Sequence, residues 1–494
     1  MALRLFNTLS GKVDEFIPLD DKRVRMYACG PTVYDYGHIG NFRTFVSVDV
    51  LHRFLRQDGY ELRHVMNITD VDDKIIRNSA KAGVTVREYT RKYEQAFLED
   101  IDTLSIERPE LVRATDHIPE MARFIEQLEK KGYAYRTDDG SYYFRIAKFP
   151  GYGKLSKKDF SGIEVGARVD VDEYDKDNAR DFALWKAPKP GEAFWETEIG
   201  PGRPGWHIEC SVMSTMLLGP TFDLHAGGED LVFPHHENEI AQSEAETGKP
   251  FVRYWFHVRF LLVEGEKMSK SLGNFYTLRD LVLKGHKPSS IRFLLASGHY
   301  RTQLNFTFDA LKQAANSVER LRNFESRLKT ERFAEGPEGK IGKLARETMD
   351  KMRAGLDDDL NTPQALGALF DMVRQANAAA DTGQVTSGEV APLQQALGQF
   401  DQIFAVLRDD DAPRMRRILD WAKAEGKLDH AAKELVEVAG SNGLPDDQVD
   451  TLVAEHERAR KARDFAKSDA IRAQLAQAGV VVENTKQGVR WKRK

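Results

Sequence analysis

The chain is poor in cysteine and has no long apolar run. It contains only two cysteines in 494 residues, Cys29 and Cys210, which excludes a disulfide-rich secreted scaffold. No segment reaches the roughly 18 consecutive apolar residues of a membrane-spanning helix. Residues 1–16 also lack the apolar core of a signal peptide. These absences predict a cytoplasmic protein with no membrane segment.

The chain also lacks a strong overall charge. Its formal net charge is -5 at pH 7, which does not indicate a nucleic-acid partner. Basic residues are nevertheless concentrated at the end, because residues 451–494 contain 11 Lys and Arg against 5 Asp and Glu. Such a tail is either a solvated terminus or a surface that contacts phosphates, and composition leaves both readings open.

The length predicts several structural units, and the periodicity predicts their types. The first part of the chain has the pattern of a doubly wound parallel sheet. A predicted strand at 24–29 is followed by a Gly-Pro turn, by apolar residues at helical spacing over 38–57 and by a second predicted strand at 62–69. A hairpin signal at 133–145 begins a stretch rich in glycine and proline that predicts an antiparallel insertion. Helical spacing then continues almost unbroken over 308–407.

The sequence therefore predicts an α/β protein. Its Rossmann-like catalytic domain, with an antiparallel insertion, is followed by an all-α bundle and a small mixed α/β domain. Helices are expected at 414–439 and 449–478. The predicted units are the two halves of the Rossmann-like domain (1–118 and 205–257), the insertion (119–204), a contact region with a lysine-rich loop (258–307), the bundle (308–408), a linker with a helix (409–450) and the C-terminal domain (451–494).

The string His38-Ile39-Gly40-Asn41 stands at the expected start of the first helix. A helix N-terminus carries about half a positive charge and free N–H groups, so it can hold a phosphate. Gly40 allows a close approach of the backbone, and His38 can donate a hydrogen bond. Taken alone, however, four such residues are more often an ordinary strand-to-helix turn.

A second string, Lys267-Met268-Ser269-Lys270-Ser271, lies between Gly265 and Gly273. Lys267 and Lys270 supply two mobile ammonium groups suited to the charge of a transferring phosphoryl group. By itself this is usually a solvated turn. The two strings in this order, with this architecture between them, predict a site that binds ATP phosphates from two sides.

Four residues scattered along the chain could form a metal site. His235 and Glu239 are four apart on a helix expected to begin at Pro234, so their side chains share one face. Cys29 ends the first strand and Cys210 lies in a later helix, both at the carboxyl edge where doubly wound sheets bind ligands. Thiolates, imidazole and carboxylate are zinc ligands. The spacing is unlike a zinc finger, and two buried, inert thiols are the alternative.

Along essentially its whole length the chain resembles the cysteinyl-tRNA synthetases, which are class I aminoacyl-tRNA synthetases. One departure is Asn41, which stands where many class I enzymes have histidine and brings no positive charge. The matching motifs are Cys29-Gly30-Pro31-Thr32-Val33-Tyr34-Asp35, His38 to Asn41, Gly205-Trp206-His207-Ile208-Glu209-Cys210, Phe233-Pro234-His235-His236-Glu237-Asn238-Glu239 and Lys267 to Ser271.

The resemblance implies ATP-dependent activation of L-cysteine to cysteinyl-adenylate and transfer to tRNA(Cys), with Mg²⁺ accompanying ATP. It also implies one zinc ion per chain, which would select the thiolate of cysteine over the hydroxyl of serine. Serine and cysteine have nearly the same shape, so a pocket that recognises shape alone would discriminate poorly between them. The implied residues are Cys29, Cys210, His235 and Glu239 for zinc; His38, Asn41, Lys267 and Lys270 for catalysis; Gly40, Gly228 and Asp230, with His38, Asn41 and Lys270, for ATP; and Thr69, Trp206, His207 and Asp230 for cysteine.

The resemblance further implies a monomer whose helical bundle binds tRNA and whose C-terminal domain reads the anticodon. Arg460, Asp469 and Trp491 are the implied tRNA contacts, and a surface salt bridge is the alternative reading for each charged residue. The role of 409–450 stays open. Two rival functions are a paralogous ligase that joins cysteine to an amino-sugar inositol and a non-catalytic RNA-binding relative.

Overall fold

The computed structural model describes residues 2–158, 181–432, 435, 446–485 and 488–493. None of the helices in this part of the chain has both the length and the apolar character needed to cross a membrane. The strands are β1 (Arg4–Asn7), β2 (Lys12–Glu15), β3 (Arg23–Ala28), β4 (Glu61–Ile68), β5 (Glu110–Arg113), β6 (Ala134–Arg136), β7 (Tyr142–Phe144), β8 (Phe182–Lys186), β9 (Arg203–Pro204), β10 (Phe222–Gly228), β11 (Val252–Val258), β12 (Leu261–Val263), β13 (Glu266–Lys267), β14 (Leu304–Phe306), β15 (Val480–Thr485) and β16 (Gly488–Arg493).

The helices alternate with the strands up to β14 and then dominate the chain. They are α1 (Ile39–Gln57), α2 (Asp73–Ala82), α3 (Val86–Thr103), α4 (Ile118–Lys130), α5 (Trp206–Leu218), α6 (Glu237–Thr247), α7 (Leu278–Leu283), α8 (Pro288–Ser297), α9 (Phe308–Thr330), α10 (Lys340–Asp357), α11 (Thr362–Asp381), α12 (Ser387–Phe404), α13 (Asp411–Ala424), α14 (Asp446–Lys461) and α15 (Phe465–Gln477).

The central sheet has five strands in the order β11-β10-β3-β4-β5, and every neighbouring pair is parallel. The chain moves from β3 to β4 in one direction and returns to place β10 on the other side of β3. The strand order therefore reverses between β3 and β10, and this is where open α/β sheets bind ligands. The predicted Rossmann-like fold is confirmed, and Cys29 and Gly228 lie at this switch point.

The insertion is a four-stranded antiparallel sheet in the order β6-β7-β8-β9, as the sequence predicts. It packs through Tyr142, Phe144 and Phe182 into one core cluster with α4, α5 and α6 on one face of the central sheet. The other face is covered by α1, whose apolar residues join a core cluster shared with α8 and the helices α9 to α12.

Three helices differ from their predicted spans. Within the described part of the helix expected at 414–439, a helix begins at Asp411 and ends at Ala424, just before Gly426 with a φ of 66° that favours glycine. Residues 433–434 and 436–439 of the expected span lie outside the described residues. The helix expected at 449–478 is two helices, α14 and α15, because the chain turns at Arg463 with a φ of 61°. The helix expected from Pro234 begins at Glu237, after a single π-helical turn over Val232–His236.

The C-terminal unit has its own small core. The hairpin β15–β16 packs on α14 and α15 through Val449, Val453, Ile471, Leu475 and Val480. The predicted mixed α/β character is therefore confirmed for this unit.

Candidate active site with a metal-binding cluster

The four candidate metal ligands meet in one buried place. Cys29 follows β3, Cys210 lies in α5, and His235 and Glu239 come from the turn before α6 and from α6 itself. Their potential ligand atoms all lie within 4.8 Å of one another. The two sulfur atoms are 4.0 Å apart, and His235 Nε2 is 3.0 Å from Glu239 Oε1. The structure thus brings together all four residues.

These distances suit a tetrahedral ion better than a disulfide. Two sulfurs bound to zinc at about 2.3 Å in a tetrahedron are about 3.8 Å apart, whereas disulfide sulfurs are about 2.05 Å apart. Both cysteines are free thiols, and all four side chains are buried. Two thiols, an imidazole and a carboxylate are also the donor types that zinc prefers.

A second ligand set shares two of these residues. Cys29 and Glu239 can be combined with His225 and His236 in a cluster of the same compactness. His236 Nε2 is 3.2 Å from Cys29 Sγ, and His225 Nε2 is 2.8 Å from Glu239 Oε2. This alternative has one sulfur donor instead of two, so it is the harder and less thiophilic site.

Further histidines surround the cluster. His207 Nδ1 lies 2.9 Å from His235 Nδ1, which leaves Nε2 of His235 directed at the cluster. His236 Nδ1 lies 2.8 Å from His257 Nε2, and the far nitrogen of His257 contacts Thr8 Oγ1 at 2.7 Å. Partners of this kind orient the rings that bind a metal.

The charges of the cluster side chains favour a bound cation. Burial alone raises the pKa of Cys210, but hydrogen bonds with Cys29 and His235 outweigh it and lower this pKa to about 6. Burial likewise raises the pKa of Glu239, but His225 and His235 lower it to about 2. Burial lowers the pKa of His235, yet Glu239 and Cys210 raise it to about 10. A proton on His235 thus offsets only one of the two buried anions, and a divalent cation that replaced this proton could neutralise both.

The predicted cysteine-binding residues differ in their access to the cluster. The Trp206 ring is 40% exposed and stacks on His235 with centroids 4.2 Å apart. His207 is buried behind His235. Thr69 is buried as well, and its hydroxyl donates to Glu209 Oε2 at 2.7 Å. Of these residues, Trp206 has the surface available to a substrate.

The first ATP string caps α1 with its own side chains. His38 is the N-cap: its Nδ1 accepts from the Asn41 backbone N–H at 3.2 Å, while Asn41 Oδ1 accepts from the His38 N–H at 3.1 Å. Burial and the nearby Lys270 lower the pKa of His38 to about 4. A neutral His38 that accepts at Nδ1 carries its proton on Nε2, so it can donate to a phosphate oxygen.

The lysine-rich loop lies against the start of α1. His38 pairs with Thr277 in an isolated β-bridge, and a Cβ added to Gly40 would lie 3.2 Å from Met268 Cε. Lys270 Nζ is 2.8 Å from Asp35 Oδ2 and remains exposed. Lys267 is exposed too. The structure therefore brings the two strings together on one side of the sheet edge.

Gly228 and Asp230 lie between the ATP strings and the cysteines. A Cβ added to Gly228 would meet Asp230 Oδ1 at 2.3 Å and Thr44 Oγ1 of α1 at 3.7 Å, so the backbone and the Asp230 carboxylate are in close contact. Asp230 is exposed, and its charge is among the causes that raise the pKa of Cys29, after burial and Cys210. Its carboxylate is therefore near both candidate sites.

The predicted tRNA contacts lie in the C-terminal unit. Arg460 lies in the last turn of α14 and Asp469 lies on α15, and both are exposed. Trp491 is partly buried, packs on the small core and donates from Nε1 to Asp450 Oδ1 at 2.8 Å. Sequence reasoning missed Phe465, which is 62% exposed and four residues before Asp469 on α15. Its position directly after the charged residues Arg463 and Asp464 could have indicated an exposed aromatic ring.

Sequence reasoning also missed His225, His236, His257 and Asp35. Two of these histidines could have been found from their positions in predicted strands. His257 is the second-last residue of β11 and His225 lies within β10, so both are near the edge of the sheet where ligands bind. The carboxyl ends of parallel strands share one edge.

Comparison with known proteins gives the same family along the chain. Residues 15–316 match the class I (C) tRNA synthetase catalytic domain, residues 351–408 the DALR domain and residues 442–491 the cysteinyl-tRNA ligase anticodon binding domain. The cysteine–tRNA ligase of Koribacter versatilis is 68% identical over the full length of both chains. That of Solibacter usitatus is 54% identical, also over the full length of both.

Among solved structures, Mycobacterium tuberculosis methionyl-tRNA synthetase with methionyl-adenylate is similar with a TM-score of 0.56. It is 16% identical, and the match covers 82% of this chain and 93% of that chain. This likeness supports the class I fold alone. With the catalytic-domain match and the full-length relatives, it follows that the chain belongs to the cysteine–tRNA ligase family of class I aminoacyl-tRNA synthetases.

Proposed function

We propose that the chain activates L-cysteine with ATP and transfers it to the 3′ end of tRNA(Cys), acting as a cytoplasmic monomer. The observation that carries this proposal is the buried cluster of Cys29, Cys210, His235 and Glu239. It lies at the edge of the same sheet whose first helix begins at His38. A thiophilic pocket beside a phosphate-binding turn fits an amino acid with a sulfur atom.

The four cluster residues would hold one zinc ion per chain. Their donor types and separations fit the ion, as do the buried anions that surround the His235 proton. When bound, zinc would supply a soft Lewis acid that prefers a thiolate to a hydroxyl, which is the difference between cysteine and serine. Trp206 would cover the bound side chain, and Asp230 would accept the substrate ammonium or a ribose hydroxyl.

The ATP strings would act on the phosphates. The cysteine carboxylate attacks the α-phosphorus, the bond to the bridging oxygen breaks, and pyrophosphate leaves. His38 would donate from Nε2, while Lys267 and Lys270 would meet the charge of the leaving group, with Mg²⁺ carried by ATP. Asn41 would hold His38 in place through the cap. A terminal ribose hydroxyl of tRNA then attacks the adenylate carbonyl, and AMP leaves.

Cysteine-dependent exchange of labelled pyrophosphate into ATP tests the proposal. We expect exchange with L-cysteine, and at least about 100-fold less with L-serine, because a site built for one group strongly rejects an analogue that lacks it. Metal analysis of the same sample should give one zinc per chain. Exchange without cysteine, or equal exchange with serine, would contradict the assignment.

The C-terminal unit favours tRNA as the acceptor over an amino-sugar inositol. Phe465 presents an exposed ring, and the exposed Arg460 and Lys461 precede it at the end of α14. Single-stranded bases are bound by stacking on aromatic rings within positive charge. A small-molecule acceptor would need no such surface. The intact ATP strings and cysteines also argue against a non-catalytic relative.

Replacing Phe465 with alanine should reduce charging of tRNA(Cys) but not cysteine activation. Loss of one base–aromatic stack costs about 1–3 kcal/mol, so kcat/KM for tRNA should fall about 5- to 150-fold. Aminoacylation kinetics measure this fall, and pyrophosphate exchange should be unchanged.

The matched control is Trp491→Phe, which keeps a ring but removes the N–H that donates to Asp450. We expect this variant to lower the melting temperature and to leave charging close to normal. Normal charging by Phe465→Ala would contradict the stacking role of Phe465. Impaired charging by Trp491→Phe without a loss of stability would instead assign a role in tRNA binding to the Trp491 N–H.

A further inference from the structure

Helix α13, within the segment whose role the sequence leaves open, lies against the turn that leads into the first ATP string. Trp421 Nε1 donates to the Tyr36 hydroxyl at 3.2 Å, and the two rings meet edge to face with centroids 5.0 Å apart. Tyr36 is two residues before His38. A side chain from the C-terminal half of the chain thus contacts the turn that carries the His38 cap.

Arg279 connects the same tryptophan to the second ATP string. Its guanidinium is 4.6 Å from the Trp421 ring centroid and 5.2 Å from that of Tyr36. The side chain is 1% exposed and donates to Asp100 at 2.8 Å and to Glu99 at 2.9 Å.

Arg279 belongs to α7, which directly follows the lysine-rich loop. Thr277 caps that helix and forms the β-bridge with His38. Through Tyr36 and Arg279, Trp421 is therefore linked to the turn just before the first string and to the helix that follows the second.

Helix α13 is held firmly at both ends. Near its C-terminus, Glu425 pairs with Lys92 of α3 at 2.8 Å. At its N-terminus, Asp411 is 2% exposed, accepts from the Ser289 hydroxyl at 2.6 Å and pairs with Arg322 of α9 at 2.7 Å. A helix fixed in this way can hold Trp421 in one position relative to the bundle and the sheet.

We propose that Trp421 is a positioning residue for the ATP site, acting through Tyr36 and Arg279 on the turn before His38 and on the helix after Lys270. This proposal rests on the proposed cysteine activation. It gives α13 a role in the first reaction step, whereas a linker that only connects the bundle to the C-terminal unit would have none. The cysteine pocket is formed by other elements, so its affinity should not depend on Trp421.

The test compares Trp421→Ala, Trp421→Phe and Tyr36→Phe in the full-length protein by pyrophosphate exchange. For Trp421→Ala we expect kcat/KM for ATP to fall about 10- to 100-fold, because a small misplacement of phosphate-binding groups has a large effect on rate. KM for cysteine and zinc content should stay unchanged. Trp421→Phe restores the ring and should cost only about fivefold, the effect of one hydrogen bond.

The pair Trp421→Phe and Tyr36→Phe separates positioning from general packing. Both changes remove the hydrogen bond between Trp421 and Tyr36, and Tyr36→Phe also removes the contact of the Tyr36 hydroxyl with Lys92. The double variant should therefore lose no more than Tyr36→Phe alone, and not the product of the two single losses. Lys423→Ala, an exposed residue on another face of α13, is the matched control and should leave all constants unchanged.

Three results would overturn the proposal: unchanged ATP kinetics in Trp421→Ala, parallel losses for ATP and cysteine with a lowered melting temperature, or multiplicative effects in the double variant. Failure of the proposed function is distinguishable from these, because wild-type protein would then show no cysteine-dependent exchange.

Discussion

Replacing Cys210 with serine is expected to remove the zinc proposed for the cluster and, with it, the proposed preference for cysteine. A serine hydroxyl is not ionised near neutral pH and is a much harder ligand than a thiolate. Even residues that only support metal ligands change affinity or activity by about 10- to 100-fold, so kcat/KM for cysteine should fall at least about 100-fold. Metal analysis after dialysis and pyrophosphate exchange measure both effects, and KM for ATP should be nearly unchanged.

His225→Asn is the informative companion to Cys210→Ser. His225 contacts Glu239 at 2.8 Å and belongs to the alternative ligand set. In the proposed site it supports a ligand, so its variant should keep zinc with an affinity reduced about 10- to 100-fold. If His225→Asn loses the metal while Cys210→Ser keeps it, the ligands are instead Cys29, His225, His236 and Glu239. Equal losses of ATP and cysteine binding in Cys210→Ser would indicate a structural role.

Replacing Lys270 with alanine should abolish most of the activation rate without affecting the metal site. Its side chain is 69% exposed at the proposed ATP site and is paired with Asp35, so it can reach a phosphate by exchanging this partner. Removing one preorganised donor from a developing charge typically costs about 100- to 1000-fold in kcat. Exchange kinetics should show this fall, while KM for cysteine and zinc content remain at wild-type values.

Lys249→Ala supplies the control for Lys270→Ala. Lys249 is an exposed lysine in the turn after α6, away from both ATP strings, and its removal changes the net charge equally. It should have no effect on exchange. A wild-type rate in Lys270→Ala, or a comparable loss in Lys249→Ala, would remove the specific role of Lys270.

The parallel sheet was predictable because its pattern is local and repeated. Helical spacing after His38 and a Gly-Pro turn after the first strand are enough to indicate a β-α-β unit. That Cys29 could meet Cys210, 181 residues away, followed from placing both at the carboxyl edge of that sheet. This rule left inert thiols as an alternative, and the resemblance to the cysteinyl-tRNA synthetases implied the four zinc ligands and the other site residues.

Features that depend on tertiary contacts were not predictable in the same way. The break at Arg463 needs a positive φ at a residue that propensity would leave within a helix. The partial burial of Trp491 depends on a core formed by α14, α15 and the last hairpin. The mutual capping of His38 and Asn41 was likewise hidden, since histidine is not among the usual N-cap residues.

Lys270 Nζ is paired with the Asp35 carboxylate at 2.8 Å. To bind a phosphate of ATP, the Lys270 ammonium must leave the Asp35 carboxylate. Because one anionic partner replaces another, the net electrostatic stabilisation of bound ATP is small. The stabilisation increases in the transition state, because the departing pyrophosphate then carries more negative charge than the single carboxylate of Asp35. Such an exchange of counter-ions favours turnover over tight capture of ATP.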